Sequence, residues 1–251
     1  MDVLNESLHR PRYFQVYSST GLADIFNKTA TAVTRAGAST RLYLNEYNLF
    51  QWSEHPLAKS SDIYANWYRW HAEDLLRSGA ALHGLGMQYY PDGRTSQQIG
   101  SNAHSPARML QVLQNLASTG LRLSLTEFAV SKNTADPARA ADILEDSMRM
   151  VFGTPEADSF LIWAIWENAA QPPPSSVLFD KDSQRTVVGE RYDSLMRRWH
   201  TSVDATLDST GGLDFVGFLG DYRVHTEQAS GEFSLAKGVS NYTVTLAPPG
   251  P

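Results

Sequence analysis

The stretch Ser124-Leu125-Thr126-Glu127-Phe128-Ala129-Val130 closes an apolar, strand-like run that starts at Leu121 and passes through Leu123 and Leu125. The run ends in a single acid, Glu127. A second acid occupies the same kind of place in Asp2-Val3-Leu4-Asn5-Glu6. Two carboxylates, each at the C-terminal end of a short strand, point to an acid/base pair on one rim of a parallel barrel, the rim that carries the chemistry in such folds.

Helical patterns alternate with these strands. Leu22, Ile25, Phe26, Thr29, Ala30 and Val33 share one helical face, with Gly37 as a stop, after a loop holding Tyr13, Phe14 and Tyr17. Residues 41–48 read as a strand running into a polar rim. A helix over 62–78 carries Ala65, Tyr68, Ala72, Leu75 and Leu76 on one stripe and stops at Gly79. Residues 82–88 form a strand whose glycines imply close approach of neighbouring chain. Ser105-Pro106 and Asp136-Pro137 each place a capping side chain before a proline at the first helical position. Residues 159–166 read as the last strongly buried strand. A final helix turns Val188, Tyr192, Leu195 and Trp199 inward.

Strand and helix thus alternate five times, at spacings of roughly 35 to 40 residues, which argues for βα units and a parallel sheet. The expected fold class is α/β: a partial (β/α)8 TIM barrel of about five units over residues 1–200. Residues 201–251 form a small antiparallel β appendage with strands near 215–218, 222–226, 232–235 and 242–246, then a tail from 248.

Composition narrows the function. The 251 residues are 42 % apolar and 19 % charged, an ordinary globular balance. The net charge of −6 and scattered Lys and Arg argue against nucleic acid and favour a neutral, polyol-like substrate. No cysteine is present, which excludes disulfides and thiolate metal sites. His9 and His83 read as structural, no histidine cluster has metal-ligand spacing, and neither a metal nor a cofactor is expected. No apolar run approaches the roughly 18 residues of a membrane span. Met1 is followed at once by strand residues, so no signal peptide is expected, and a segment is expected ahead of the chain.

At the two acids the sequence resembles glycoside hydrolase family 10, the retaining endo-1,4-β-xylanases. Asp2-Val3-Leu4-Asn5-Glu6 resembles the strand bearing the acid/base, and Thr126-Glu127 the nucleophile motif. Tyr43-Leu44-Asn45-Glu46-Tyr47-Asn48, Gly86-Met87-Gln88-Tyr89-Tyr90 and Trp163-Ala164 with Trp166 resemble three further strand ends. Trp199-His200-Thr201 and Gly217-Phe218-Leu219-Gly220-Asp221-Tyr222 resemble the β-rich appendage of plant-like members. The chain departs from the family at Tyr90, where a His is expected, at Ala129, where an Asp is expected, and at Gln171, where an aromatic is expected, and set against the family's barrel its first three strands are missing.

The resemblance implies a cofactor-free double displacement on xylan, with Glu6 as acid/base and Glu127 as nucleophile. Such a pair needs carboxyls about 5 to 5.5 Å apart, one holding its proton and the other ionised. Asn5 would hold the 2-hydroxyl of the reacting sugar, Gln88 and Tyr90 would line the site, and Trp163 and Trp166 would lie under the sugar ring. Asn45 and Asn48 read first as turn formers, with a site role as the alternative. The departures keep a rival open, a non-catalytic carbohydrate-binding or degenerate xylanase-like protein. Open barrel edges imply self-association, and the family implies an extracellular or wall-facing role.

Overall fold

The computed structural model describes residues 1–10, 12–50, 63–92, 104–131 and 136–248. The expected helix start at Asp62 and the tail beyond residue 248 lie outside them. The chain divides into two compact units, Met1–Tyr192 and Asp193–Pro251.

The first unit is built on β1 (Asp2–Asn5), β2 (Tyr43–Glu46), β3 (Gly84–Tyr89), β4 (Arg122–Phe128) and β5 (Ala157–Ile162). They pair in that order, every neighbour parallel. Between them run α1 (Arg12–Arg35), α2 (Ile63–Arg77), α3 (Pro106–Ala117) and α4 (Pro137–Phe152), and α5 (Val187–Arg198) follows β5. These are five βα units of a partial TIM barrel. Because all strands run the same way, their C-terminal ends share one rim.

Two helix starts follow the sequence pattern. Ser105 Oγ accepts from Arg108 N–H at 3.3 Å and Asp136 Oδ1 from Ala138 N–H at 2.9 Å, each ahead of its proline. The core lies between the helices and the central strands. Every residue of β2 and β3 is buried. Met109, Val112, Leu113 and Leu116 of α3 and Ile143, Leu144 and Val151 of α4 are buried as their spacing predicts. The buried Tyr68 hydroxyl, on α2, meets the carbonyls of Leu44 and Gly86 at 2.6 and 2.8 Å, joining that helix to two strands.

Polar side chains cross the sheet where β3 has glycine. Tyr43 passes over Gly84, where an added Cβ would lie 2.3 Å from the phenol ring, and its hydroxyl donates to Asp158 at 2.9 Å. Arg122 Nε reaches the same carboxylate at 2.6 Å, and Arg41 is a further partner. Burial pushes the Asp158 carboxyl up, but hydrogen bonds from Arg122 and Tyr43 and the charges of Arg122 and Arg41 outweigh it and hold it below the usual carboxylate range.

Three expectations are corrected. Tyr13, Phe14 and Tyr17 lie in α1, not in a loop; the helical run crosses a kink at Ser18 (φ 54°, ψ 174°). The last strand is not strongly buried. It ends at Ile162, alternates exposed with half-buried residues, and leaves Leu161, Trp163, Ile165 and Trp166 exposed. It is an edge of the described sheet, with β4 on one side and no described strand on the other. Among the described residues of the second unit, only β6 (Gly220–His225) and β7 (Ser230–Leu235) form strands, an antiparallel pair. Residues 215–218 and 242–246 supply rings instead: Phe215 and Tyr242 pack on Phe233, which stacks on Tyr222 at 5.2 Å.

The loop between β1 and α1 rests on α2. His71 Nε2 lies 3.3 Å from Ser7 Oγ, and the imidazole meets Phe14 edge-on at 4.4 Å. Burial pushes the His71 pKa down to about 4 against the opposing charge of Asp74. The folded protein therefore holds a neutral imidazole, while the unfolded chain protonates below about 6.5. Stability from this group is complete above that pH and is lost as pH falls toward the folded value. Urea midpoints should fall between about pH 6.5 and 4, and His71→Phe should flatten that slope; an equally steep slope in the variant contradicts this assignment.

Candidate active site

The polar rim is assembled around β3. Gly86 and Gln88 of β3, and Tyr90 just beyond it, alternate with Leu85, Met87 and Tyr89, so the first set shares one face. At Gly86 the neighbouring strands meet across the missing side chain. Asn45 of β2 accepts from Thr126 Oγ1 of β4 at 2.6 Å through its Oδ1. A Cβ on Gly86 would sit 2.4 Å from Asn45 Oδ1 and 2.9 Å from Thr126 Cγ2. Asn45 Nδ2 in turn donates to Asn5 Oδ1 at 2.9 Å. A buried amide thereby connects β1, β2 and β4.

The next step of the sheet carries Glu127. Gly86 pairs with Ser124 and Met87 with Leu125, but Gln88 pairs with Glu127, so Thr126 is an inserted residue. A bulge of this kind turns consecutive side chains to one face. Thr126 reaches Asn45 and Glu127 reaches Tyr90, whose hydroxyl donates to Glu127 Oε2. Burial first, then the hydrogen bond to Glu127 and the charges of Glu127 and Glu6, push the Tyr90 pKa far above that of an ordinary phenol. The hydroxyl keeps its proton at any working pH and serves as a donor. Trp163 stands edge-on to Tyr90 at 6.3 Å and is 53 % exposed, an open aromatic wall beside the acid.

Glu6 lies one residue beyond β1, with its N–H on Asn45 O at 2.8 Å. Its φ of 57° is the left-handed region, which costs a non-glycine residue on the order of 1 kcal/mol or more. Gln88 Nε2 approaches Asn5 Oδ1 at 3.3 Å and Glu6 Oε1 at 3.4 Å, both at the long end of hydrogen bonding. Arg10 Nη2 is 3.8 Å from the other Glu6 oxygen.

Behind this group lies Glu46, fully buried at the end of β2. Its carboxylate accepts from the Leu8 and Tyr47 N–H groups at 2.8 and 2.9 Å and meets His9 Nδ1 at 2.7 Å. The His9 ring stacks on Tyr47 at 3.8 Å. The segment just after Glu6 is thus pinned to β2. Among the described residues, no group of three or more His, Cys, Asp or Glu is placed to hold a metal ion. No helix of the described residues is long and apolar enough to cross a membrane.

The family model for glycosyl hydrolase family 10 matches residues 1–190. The chain belongs to glycosyl hydrolase family 10. Endo-1,4-beta-xylanase 2 of Arabidopsis thaliana is 28 % identical over 243 residues, covering 97 % of this chain and 20 % of that protein. The anti-sigma-I factor RsgI6 of Acetivibrio thermocellus is 30 % identical over 135 residues, covering 54 % of this chain and 17 % of that protein. Among solved structures, native xylanase 10B of Thermotoga maritima aligns with a TM-score of 0.62 at 14 % identity, over 78 % of this chain and 60 % of that one. The intracellular xylanase TsXylA of Thermoanaerobacterium saccharolyticum aligns with a TM-score of 0.60 at 16 % identity, over 76 % and 56 %. The chain therefore spans about a fifth of the length of the curated relatives it matches and somewhat over half of these xylanase structures.

Of the residues singled out in the sequence, the fold brings Asn5, Glu6, Gln88, Tyr90, Glu127 and Trp163 into one connected group. Trp166 stands apart; its backbone bridges to Phe179, and among the described residues it makes no ring contact or side-chain hydrogen bond with that group. Asn48 is a turn residue (φ 60°), whereas Asn45 is a buried hub. Thr126 and Glu46 were absent from the candidates. The signal for Asn45 and Thr126 lay in Gly86, a strand glycine flanked by two polar strand ends.

Gly86→Ala should lower stability by about 1 to 3 kcal/mol, because two hydrogen-bonded side chains, Asn45 and Thr126, must give way. Urea unfolding measures it, and an unchanged midpoint contradicts the crossing of Asn45 over β3.

Proposed function

We propose that residues 1–190 carry the carboxylate pair of a retaining endo-β-1,4-xylanase. Glu127 attacks the anomeric carbon while Glu6 gives a proton to the departing glycosidic oxygen. The bond to that oxygen breaks as the bond to Glu127 forms. Glu6, now ionised, takes a proton from water, and the water oxygen displaces Glu127 from the sugar, restoring both carboxyls. The observation that carries the reading is that both acids are met from the C-terminal end of β3, Glu6 by Gln88 and Glu127 by Tyr90 just beyond the strand.

The other site residues have roles that follow from their contacts. Two donors on Asn5 Oδ1 fix its amide so that Nδ2 is left to donate to a sugar hydroxyl. Tyr90 supplies a neutral hydrogen bond to the nucleophile where the family pattern has His. Trp163 offers an apolar face to the ring. A polymeric substrate goes with an extracellular or wall-facing location.

Glu127→Ala should abolish release of reducing ends from xylo-oligosaccharides. Glu6→Ala should do the same on natural substrate yet keep measurable turnover on an aryl xyloside whose leaving group needs no proton. Equal rates for both variants and the parent chain would remove these roles. Tyr90→Phe should lower kcat/KM about tenfold to a hundredfold, the worth of one hydrogen bond to a charged group; an unchanged kcat/KM would make Tyr90 a packing residue.

A second reading, a glycan-binding module without turnover, is favoured by Tyr90, Ala129 and Gln171, which stand where the family pattern has His, Asp and an aromatic. Xylan binding with no product at high protein concentration would select it.

A further inference from the structure

Three large rings stand on the outward side of α2: Tyr64, Trp67 and Trp70, respectively 39, 49 and 51 % exposed. They fall at i, i+3 and i+6 and so form one stripe along the helix. The opposite side of α2 buries Ala65, Tyr68, Ala72 and Leu75. The exposed Trp163, just after β5, is explained by its place at the edge of the described sheet. That explanation fails for α2, which joins the second and third of five strands and packs against both α1 and α3.

The stripe is continuous with the candidate active site. Tyr47, whose hydroxyl lies within the influence of the Glu6 and Glu46 charges, stacks on His9 at 3.8 Å. His9 stacks on Tyr64 at 5.4 Å, and Tyr64 meets Trp67 edge-on at 5.8 Å. The rings therefore lead from the loop after Glu6 onto the helix surface. Beside them the surface is polar. Arg69 Nη1 donates to Asn115 Oδ1 at 2.8 Å, Asn115 Nδ2 donates to Asn66 Oδ1 at 3.0 Å, and Arg69 Nε lies 3.4 Å from Glu73. These bonds lock α2 to α3.

We propose that Tyr64, Trp67 and Trp70 form an accessory track for a neutral β-linked polysaccharide, holding units of the chain whose scissile bond lies at Glu6 and Glu127. The proposal rests on the glycan-cleaving or glycan-binding reading of that site and extends it beyond the carboxylates. The pattern suits sugar better than a protein partner. A protein interface buries a contiguous apolar core within a polar rim. A line of rings flanked by amide, guanidinium and carboxylate groups fits a polymer that alternates C–H-rich faces with hydroxyl edges. Rigid aromatic side chains on a fixed helix also lose little conformational entropy on binding.

The test is native gel electrophoresis of the full chain in gels containing soluble xylan or, as control, soluble starch. The parent chain should be retarded by xylan and not by starch. A Trp67→Ala/Trp70→Ala variant should bind xylan roughly threefold to tenfold more weakly, while Glu127→Gln should remain retarded. Both tryptophans are exposed and alanine favours helix, so the variant should fold, as far-ultraviolet circular dichroism would verify. Its turnover of a short aryl xyloside should match the parent's. Retardation that persists in the double variant, is absent from the parent, or is equal in starch would overturn the track. Loss of turnover with tryptophan-dependent retardation intact would instead overturn hydrolysis alone.

Discussion

Asn45 can reach from β2 to β4 only because Gly86 puts no side chain in its path. That crossing fixes the rest of the site. Once Asn45 Oδ1 is held by Thr126, its Nδ2 points to Asn5, which precedes Glu6 in the chain. The Asn45 carbonyl also holds the Glu6 N–H. A glycine in the middle strand therefore governs the position of an acid two strands away. Tyr43 repeats the device over Gly84 toward the opposite rim, where it ends on Asp158. The polar face of the sheet is thus organised by long side chains on β2 lying over short residues on β3.

The two acids are then aimed by different departures from regular backbone. Glu127 owes its direction to the inserted Thr126, which lets consecutive residues of one strand face the same way. Glu6 owes its direction to a left-handed φ just beyond β1. Such a conformation persists where neighbours over-determine it. Here the Leu8 N–H and His9 ring on buried Glu46, and Ser7 against His71, hold the following residues in place. A third carboxylate thereby acts as scaffold for the first.

The alternation of strand and helix was legible because each unit carries local signals strong enough to stand alone. Ser105-Pro106 and Asp136-Pro137 combine an Ncap side chain with a proline, and the stripes of α3 and α4 have clear helical periods. The two acids were legible by their places at strand ends. Other features depend on neighbours that the local sequence does not specify. The run around Trp163 is apolar enough to read as core, yet burial also requires a strand on each side, and β5 has one among the described residues. Tyr13, Val16 and Tyr17 of α1 are exposed, so the first turns lack an apolar stripe to betray a helix. Phe215 and Tyr242 pack against the hairpin as rings rather than pairing as strands, a distinction invisible to residue type. Asn45 and Glu46 look alike as polar strand ends, and only the register separates the hub of the site from its buried support.

The central claim is that Glu127 forms a covalent bond to sugar with Glu6 as its proton partner. A xylobioside bearing fluorine at C2 of the reacting sugar and a good leaving group should pass the first step and stall before the second, because the electron-poor ring resists the oxocarbenium-like transition state. Mass spectrometry of the protein after that treatment should find one added disaccharide, on the peptide containing Glu127. An unmodified protein, or a label on any other carboxylate, would contradict the account.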